Sequence, residues 1–244
     1  MKTNKWLVEY ARAQIGLPYW YGTFGQKSTS TLLKQKKAQY PSMYGSNDYT
    51  KQLGVKVHDC VGLIKGALWC DTTTGTPKYV SAQDKSAVGM YIASKEKGKI
   101  KTFPKKLGQL VYKAHDANEP STIHHVGIFD GVDTVIEAKG HAYGVVRTPF
   151  KPSDWDFWSQ CPYTTAESTA IPCPEIVYYK KCASNISSIT DALKSIGEKD
   201  VSLSHRRKIA VANGIVKSGV LYIGTAYQNT MMLSLLKIGK LIKA

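Results

Sequence analysis

The chain has 244 residues, 43% hydrophobic and 10% aromatic, with 33 Lys and Arg against 18 Asp and Glu for a formal charge of +15. That balance excludes a disordered polymer, and the length provides for one sizeable domain with a smaller one beside it. No apolar run approaches the ~20 residues of a bilayer span, and Lys2, Lys5, Glu9 and Arg12 interrupt the first apolar stretch, so the expectation is cytoplasmic synthesis with neither signal peptide nor membrane insertion.

Trp6, Leu7, Tyr10, Ala11 and Ile15 recur at helical spacing over residues 4–15, closed by Gly16. A turn-rich aromatic loop follows, Gly16-Leu17-Pro18-Tyr19-Trp20-Tyr21-Gly22. Ser30 starts a short helix over 31–39 that Pro41 ends, and residues 42–57 read as a loop with a short helical piece. Residues 61–69 form a strongly apolar helix, 71–79 a Thr/Gly/Pro loop, and 86–94 another helix. The character then changes. Residues 108–113, 123–129, 133–138 and 143–148 are short, β-branched and alternating, with Gly or Asp-Gly between them. Helices first and antiparallel strands after give an α+β domain over residues 1–170.

Residues 151–175 hold Trp155, Phe157 and Trp158 with no period, and read as a wrap followed by a linker, 171–183, marked by Ile171-Pro172-Cys173-Pro174. Three helix signals lie beyond. Ser188-x-x-Asp191 precedes Ala192, Leu193 and Ile196; residues 205–212 stop at Asn213-Gly214; Thr225-x-x-Gln228 precedes Met231, Met232, Leu235 and Leu236, which read as core. Residues 184–244 are therefore expected to form a small three-helix domain.

Two stretches carry chemistry. In His58-Asp59-Cys60-Val61-Gly62 a cysteine stands where a loop becomes an apolar helix, and the positive end of the helix dipole there favours thiolate. In Ile123-His124-His125-Val126-Gly127-Ile128-Phe129 a histidine opens an alternating strand. An imidazole within reach of the thiol takes its proton and returns it to a leaving amine. Alternation sets His124 on the face of Val126 and Ile128 and His125 on the other, so only one of them serves Cys60; the face of His125 carries Gly127 and, across the hairpin, a carboxylate. With a three-residue turn at Asp130-Gly131-Val132, His125 lies opposite Glu137, Phe129 opposite Asp133, and Gly127 opposite Val135, leaving room for a helix. A two-residue Asp130-Gly131 turn instead sets His125 against Ile136, with no acceptor. The chemistry prefers the first register.

These stretches, together with Tyr19-x-x-Gly22, resemble the three signatures of the NlpC/P60 cysteine peptidases over roughly residues 5–165. The resemblance implies a papain-like fold, N-terminal helices packed on an antiparallel sheet, that cuts peptidoglycan stem peptides without cofactor or metal. It implies Cys60 as nucleophile, His125 as general base and acid, and Glu137, twelve residues on, as the group orienting the imidazole. Tyr19 would line the site and help the Cys60 amide hold an oxyanion, and Asp59 would stand beside the amine end of the substrate. His141 is a rival for the third role. The chain departs from many members at Glu137, where another polar residue is usual, and at Val61, where Ser is usual. The long 23–59 segment, expected to wall the substrate groove, and the missing signal peptide are similar to phage and prophage endolysins, which act on the wall after holin-dependent release. The bond implied is γ-D-glutamyl to the diamino acid. An N-acetylmuramoyl-L-alanine amidase, a bacterial wall-remodelling enzyme and a non-catalytic wall-binding protein stay open as alternatives.

Five cysteines (60, 70, 161, 173, 182) with no CxxC pair argue against a disulfide framework and a zinc site. The basic excess is densest in residues 176–244, with 11 Lys and Arg against 3 Asp and Glu. No nucleic-acid motif accompanies it, so the expected partners are peptidoglycan and anionic wall polymers. Arg206-Arg207-Lys208-Ile209, Asn213-Gly214-Ile215, Gln228-Asn229 and Leu235-Leu236 are loosely similar to small three-helix wall-binding repeats of phage lysins.

Overall fold

A computed structural model of the chain describes residues 2–45, 48–166, 177–213, 215–216 and 222–243. The chain divides into two units, Met1–Thr169 and Ala170–Ala244.

In the first unit, β1 (Lys2–Thr3) leads into α1 (Asn4–Ala13), followed by β2 (Phe24–Lys27), α2 (Ser30–Gln39), α3 (Pro41–Tyr44), β3 (Lys56–His58), α4 (Cys60–Trp69) and α5 (Ala87–Ala93). Side chains of Thr3, Thr29, Asp59 and Ser86 accept a first-turn N–H at the starts of α1, α2, α4 and α5, which fixes where each begins. The strands β4 (Lys97–Lys99), β5 (Leu110–Ala114), β6 (Ile123–Phe129), β7 (Thr134–Ala138), β8 (Val145–Pro149) and β9 (Phe157–Ser159) form a six-stranded sheet, with β10 (Thr164–Thr165) pairing only β1. The sheet order is β4-β9-β5-β6-β7-β8 and every pairing in it is antiparallel. The expected α+β arrangement is thus observed. β4 and β9 were not expected, because three-residue strands are too short to display a period.

One sheet face, with Leu110, Tyr112, Val126, Ile128, Ile136 and Ala138, packs on Leu7, Val8 and Ala11 of α1 and on Leu63, Ile64 and Ala67 of α4. The other face gathers Val111, Phe129, Val135, Phe150, Trp155 and Trp158. Trp20, Tyr44, Tyr49 and Val57 build a third cluster around the 23–59 segment.

The β6–β7 hairpin takes neither expected register. Ile128 pairs with Ile136 and Phe129 with Val135, so the loop spans residues 130–134. Its length follows from Asp130, fully buried, whose carboxylate accepts the Val132 and Thr134 N–H groups and the Thr134 hydroxyl and pairs with Arg147. An even shift preserves sidedness, so His125 and Glu137 still share a face, as diagonal rather than directly opposed neighbours.

The second unit holds α6 (Ile189–Ser195), α7 (Leu203–Ala212) and α8 (Ala226–Lys237) around Ile189, Leu193, Ile209, Met232 and Leu236. Tyr179 and Cys182 belong to this core, so the packed unit takes in residues ahead of 184. Thr225 and Gln228 form a reciprocal capping box. Met231, read as core, is 39% exposed, because the helix turns it away from the side that buries Met232. The boundary segment 171–174 and Gly214 lie outside the described residues.

Candidate active site

The start of α4 is tied to the Tyr-x-x-Gly loop through Asp59. Its Oδ1 accepts the Gly62 N–H at 2.6 Å, and its Oδ2 accepts the Gly22 N–H at 2.8 Å. A Cβ on Gly62 would stand 1.8 Å from the Thr23 carbonyl oxygen, so only glycine lets the loop lie this close to the helix. With both oxygens bonded to backbone and the residue 9% exposed, Asp59 is a clamp. Burial raises its carboxyl despite the two hydrogen bonds.

Cys60 opens α4 half-buried, and the backbone N–H groups of Val61 and Val126 reach its thiol. Burial, and then the neighbouring Asp59 charge, push that thiol up to about 12. The expectation of a thiolate is therefore overturned: desolvation and a like charge outweigh the helix terminus.

Strand β6 pairs with β7 only at Ile128 and Phe129, which leaves the Val126 N–H clear of β7 and available to the sulfur. Val126 itself belongs to the α4 side of the sheet. His125 stands on the other face, where Nε2 lies 2.7 Å from Glu137 Oε2. Glu137 is 2% exposed, and its Oε1 accepts the Thr148 hydroxyl at 2.9 Å. Burial works to raise the Glu137 carboxyl, but the His125 hydrogen bond and charge, then Thr148, outweigh it and hold it below its usual range. A carboxylate only accepts, so Nε2 carries a hydrogen and Nδ1 is the ring nitrogen that Glu137 leaves unengaged. Trp155 stacks over the imidazole at 6.0 Å and 21°, and Lys113, across the ladder from His125, lays its Nζ 4.7 Å over that indole.

Gly127 does not make room for a helix. A Cβ there would stand 2.4 Å from Val135 Cγ1 and 2.9 Å from Trp155, so the glycine admits the indole that covers His125. Trp155, Thr148 and Lys113 escaped the sequence reading. Trp155 lies in a stretch without period; Thr148 could have been found from its alternation in β8 toward the Glu137 face.

Tyr19 bridges to His58 through its backbone, and burial followed by the charges of Cys60 and Asp59 pushes its phenol up, so it stays a hydroxyl donor near the sulfur. His141 takes no part in holding His125. Its Nδ1 meets the Tyr49 hydroxyl at 3.1 Å, and its ring stands edge-on to Tyr19 at 5.0 Å, within the aromatic wall of the 23–59 segment. His124 is exposed and stacks on His115 at 4.1 Å. His58 is a core histidine, bonded at Nε2 to the Tyr10 hydroxyl at 3.0 Å and pushed down to about 3 by burial. Among the described residues no group of three or more His, Cys, Asp or Glu is gathered to hold a metal.

No family model and no curated relative matches the chain. Among solved structures, it is similar to the peptidoglycan hydrolase RipB of Mycobacterium tuberculosis, at 19% identity and TM-score 0.39 over 65% of this chain and 64% of that one. It is also similar to the P60 domain of an antigen of M. avium subspecies paratuberculosis, at 16% identity and TM-score 0.38 over 66% and 96%. The NlpC/p60 domain of the peptidoglycan hydrolase SagA matches at 19% identity and TM-score 0.36 over 65% and 98%. The chain thus spans less than two thirds of RipB. Likeness at this level fixes neither activity nor substrate for this chain.

Proposed function

We propose that the chain is a peptidoglycan hydrolase that opens an amide of the stem peptide, the γ-D-glutamyl bond to the diamino acid, with Cys60 as nucleophile, His125 as base and acid, and Glu137 orienting the imidazole. The observation that carries this reading is the contact of the Cys60 thiol with the Val126 N–H, one residue from an imidazole bonded to Glu137 at 2.7 Å. With Nε2–H given to Glu137, Nδ1 accepts the thiol proton as the sulfur attacks the scissile carbonyl carbon. The Cys60 N–H and the Tyr19 hydroxyl are the donors for the oxyanion. The imidazolium then protonates the departing amine, and water, deprotonated by Nδ1, hydrolyses the thioester.

The basic second unit supports a wall-targeting role, and the whole chain reads as an endolysin that acts on the wall after release from the cytoplasm. Digests of purified Gram-positive walls test the reading. The chain should release new amino termini and split stems, and Cys60→Ala should abolish both while keeping the thermal transition. Cleavage that survives Cys60→Ala refutes the nucleophile, and intact released stems would reassign the bond to an amidase.

A further inference from the structure

Helix α2 lies outside the three signature stretches, yet it reaches the site. Tyr40, at its C-terminal cap, lies on the Tyr-x-x-Gly loop: a Cβ on Gly22 would stand 2.5 Å from its Cε2, and its ring meets that of Tyr21 edge-on at 5.0 Å. One turn earlier, Lys36 places Nζ 5.5 Å from the Tyr40 ring centroid and donates to Gln39 Oε1 at 3.0 Å. No carboxylate stands within 4.0 Å of this ammonium among the described residues. The carboxylate whose charge it feels is Asp59, whose two oxygens are already bonded to Gly22 and Gly62. Tyr21, in that loop, meets the Tyr40 ring, and burial followed by the charges of Asp59 and Cys60 pushes its phenol up. Tyr40 thus packs on the loop whose Gly22 N–H bonds Asp59, the residue before Cys60, and the Lys36 ammonium at the far end of this row has donors to spare.

We propose that Lys36, beside the Tyr40 ring, is a subsite for a carboxylate of the substrate. In the stem peptide this is the α-carboxylate of the γ-linked D-glutamyl residue. The identification rests on the hydrolase reading above: a γ-linked residue carries that carboxylate on the acyl side of the scissile bond, a few carbons from the attacked carbonyl. A half-buried ammonium beside aromatic faces distinguishes a carboxylate from its amide, because the amide keeps the shape and loses the charge-assisted hydrogen bond. The inserted helix thereby makes the chain selective for stems whose D-glutamate is not amidated.

The test uses two synthetic stem peptides that differ only in a free or amidated α-carboxylate on D-glutamate, titrated into the full-length Cys60→Ala chain. The free carboxylate should bind about tenfold or more tightly, the range of one charge-assisted hydrogen bond. Adding Lys36→Met should make the two peptides equal, and Lys36→Arg should keep the preference. Equal binding by the Cys60→Ala chain, no binding of either peptide, or a preference that survives Lys36→Met overturns the subsite. Hydrolysis of the same peptides by the unmodified chain is read separately. A binding preference without cleavage leaves the subsite standing and removes the hydrolase reading instead.

Discussion

Cys60 meets opposing influences on its proton: the N-terminus of α4 favours the anion, and burial with Asp59 favours the thiol and wins. The resting site therefore holds a neutral thiol, and proton transfer accompanies attack. Alkylation of Cys60, followed by peptide mapping, should climb throughout pH 6 to 9, roughly in proportion to hydroxide, without the plateau of a preformed thiolate–imidazolium pair. A flat rate from about pH 5 upward would reverse the assignment. The same shift bears on stability. A folded-state value raised above the unfolded one contributes below the unfolded value of about 8.5, and that contribution is lost as pH climbs toward the folded value. Glu137 has the opposite sign. Its lowered value stabilises the fold above about pH 4.3 and is lost as pH falls through the folded value. Glu137→Gln keeps the volume but presents an amide that can donate to Nε2 and so put the ring hydrogen on Nδ1. Turnover of wall fragments should fall roughly 10²- to 10⁴-fold, with the circular dichroism spectrum unchanged.

At the scale of elements, the site is held by two close approaches that only glycine permits. Gly127→Ala drives a methyl onto Val135 and Trp155; it should cost about 1–3 kcal/mol in a denaturant titration and lower turnover as the indole shifts over His125. Gly62→Ala meets the backbone oxygen of Thr23, which no rotamer change relieves, so its loss of stability should exceed that of Gly127→Ala. If the order is reversed, the Tyr-x-x-Gly loop is not pinned to α4 as described. Much of this was legible from sequence. Apolar character announced α1 and α4, Ser30 and Pro41 bounded α2, a helix was expected over 86–94, and alternation put His125 and Glu137 on one face whichever odd-length loop joined β6 to β7. The register was not legible, because Asp130 is satisfied by Arg147, 17 residues away, and no local turn rule contains that partner. Trp155 was missed for a related reason: it is brought over His125 by β9, a three-residue strand inserted between β4 and β5. The thiol's protonation was misjudged because the helix terminus can be read in sequence and desolvation cannot.

At the scale of the molecule, the chain carries two separately cored units: the clusters around α4 and the sheet lie within Met1–Thr169, and the cluster of α6, α7 and α8 lies within Ala170–Ala244. The catalytic candidates all belong to the first, and the densest positive charge belongs to the second, where residues 176–244 hold 11 Lys and Arg against 3 Asp and Glu. Cutting and holding should accordingly be separable. A chain ending at residue 169 should keep its thermal transition and its rate on small soluble muropeptides, while sedimenting less with intact sacculi than the full chain. If charge on an anionic polymer carries that difference, raising salt from about 0.1 M to about 1 M, which shortens the screening length from ~10 Å to ~3 Å, should bring the two chains' wall binding together. Sedimentation that is equal with and without the second unit removes its targeting role, and a difference that salt leaves intact assigns the holding to uncharged contacts such as the exposed Ile223 and Tyr227, 66% and 70% accessible, instead of to the basic residues.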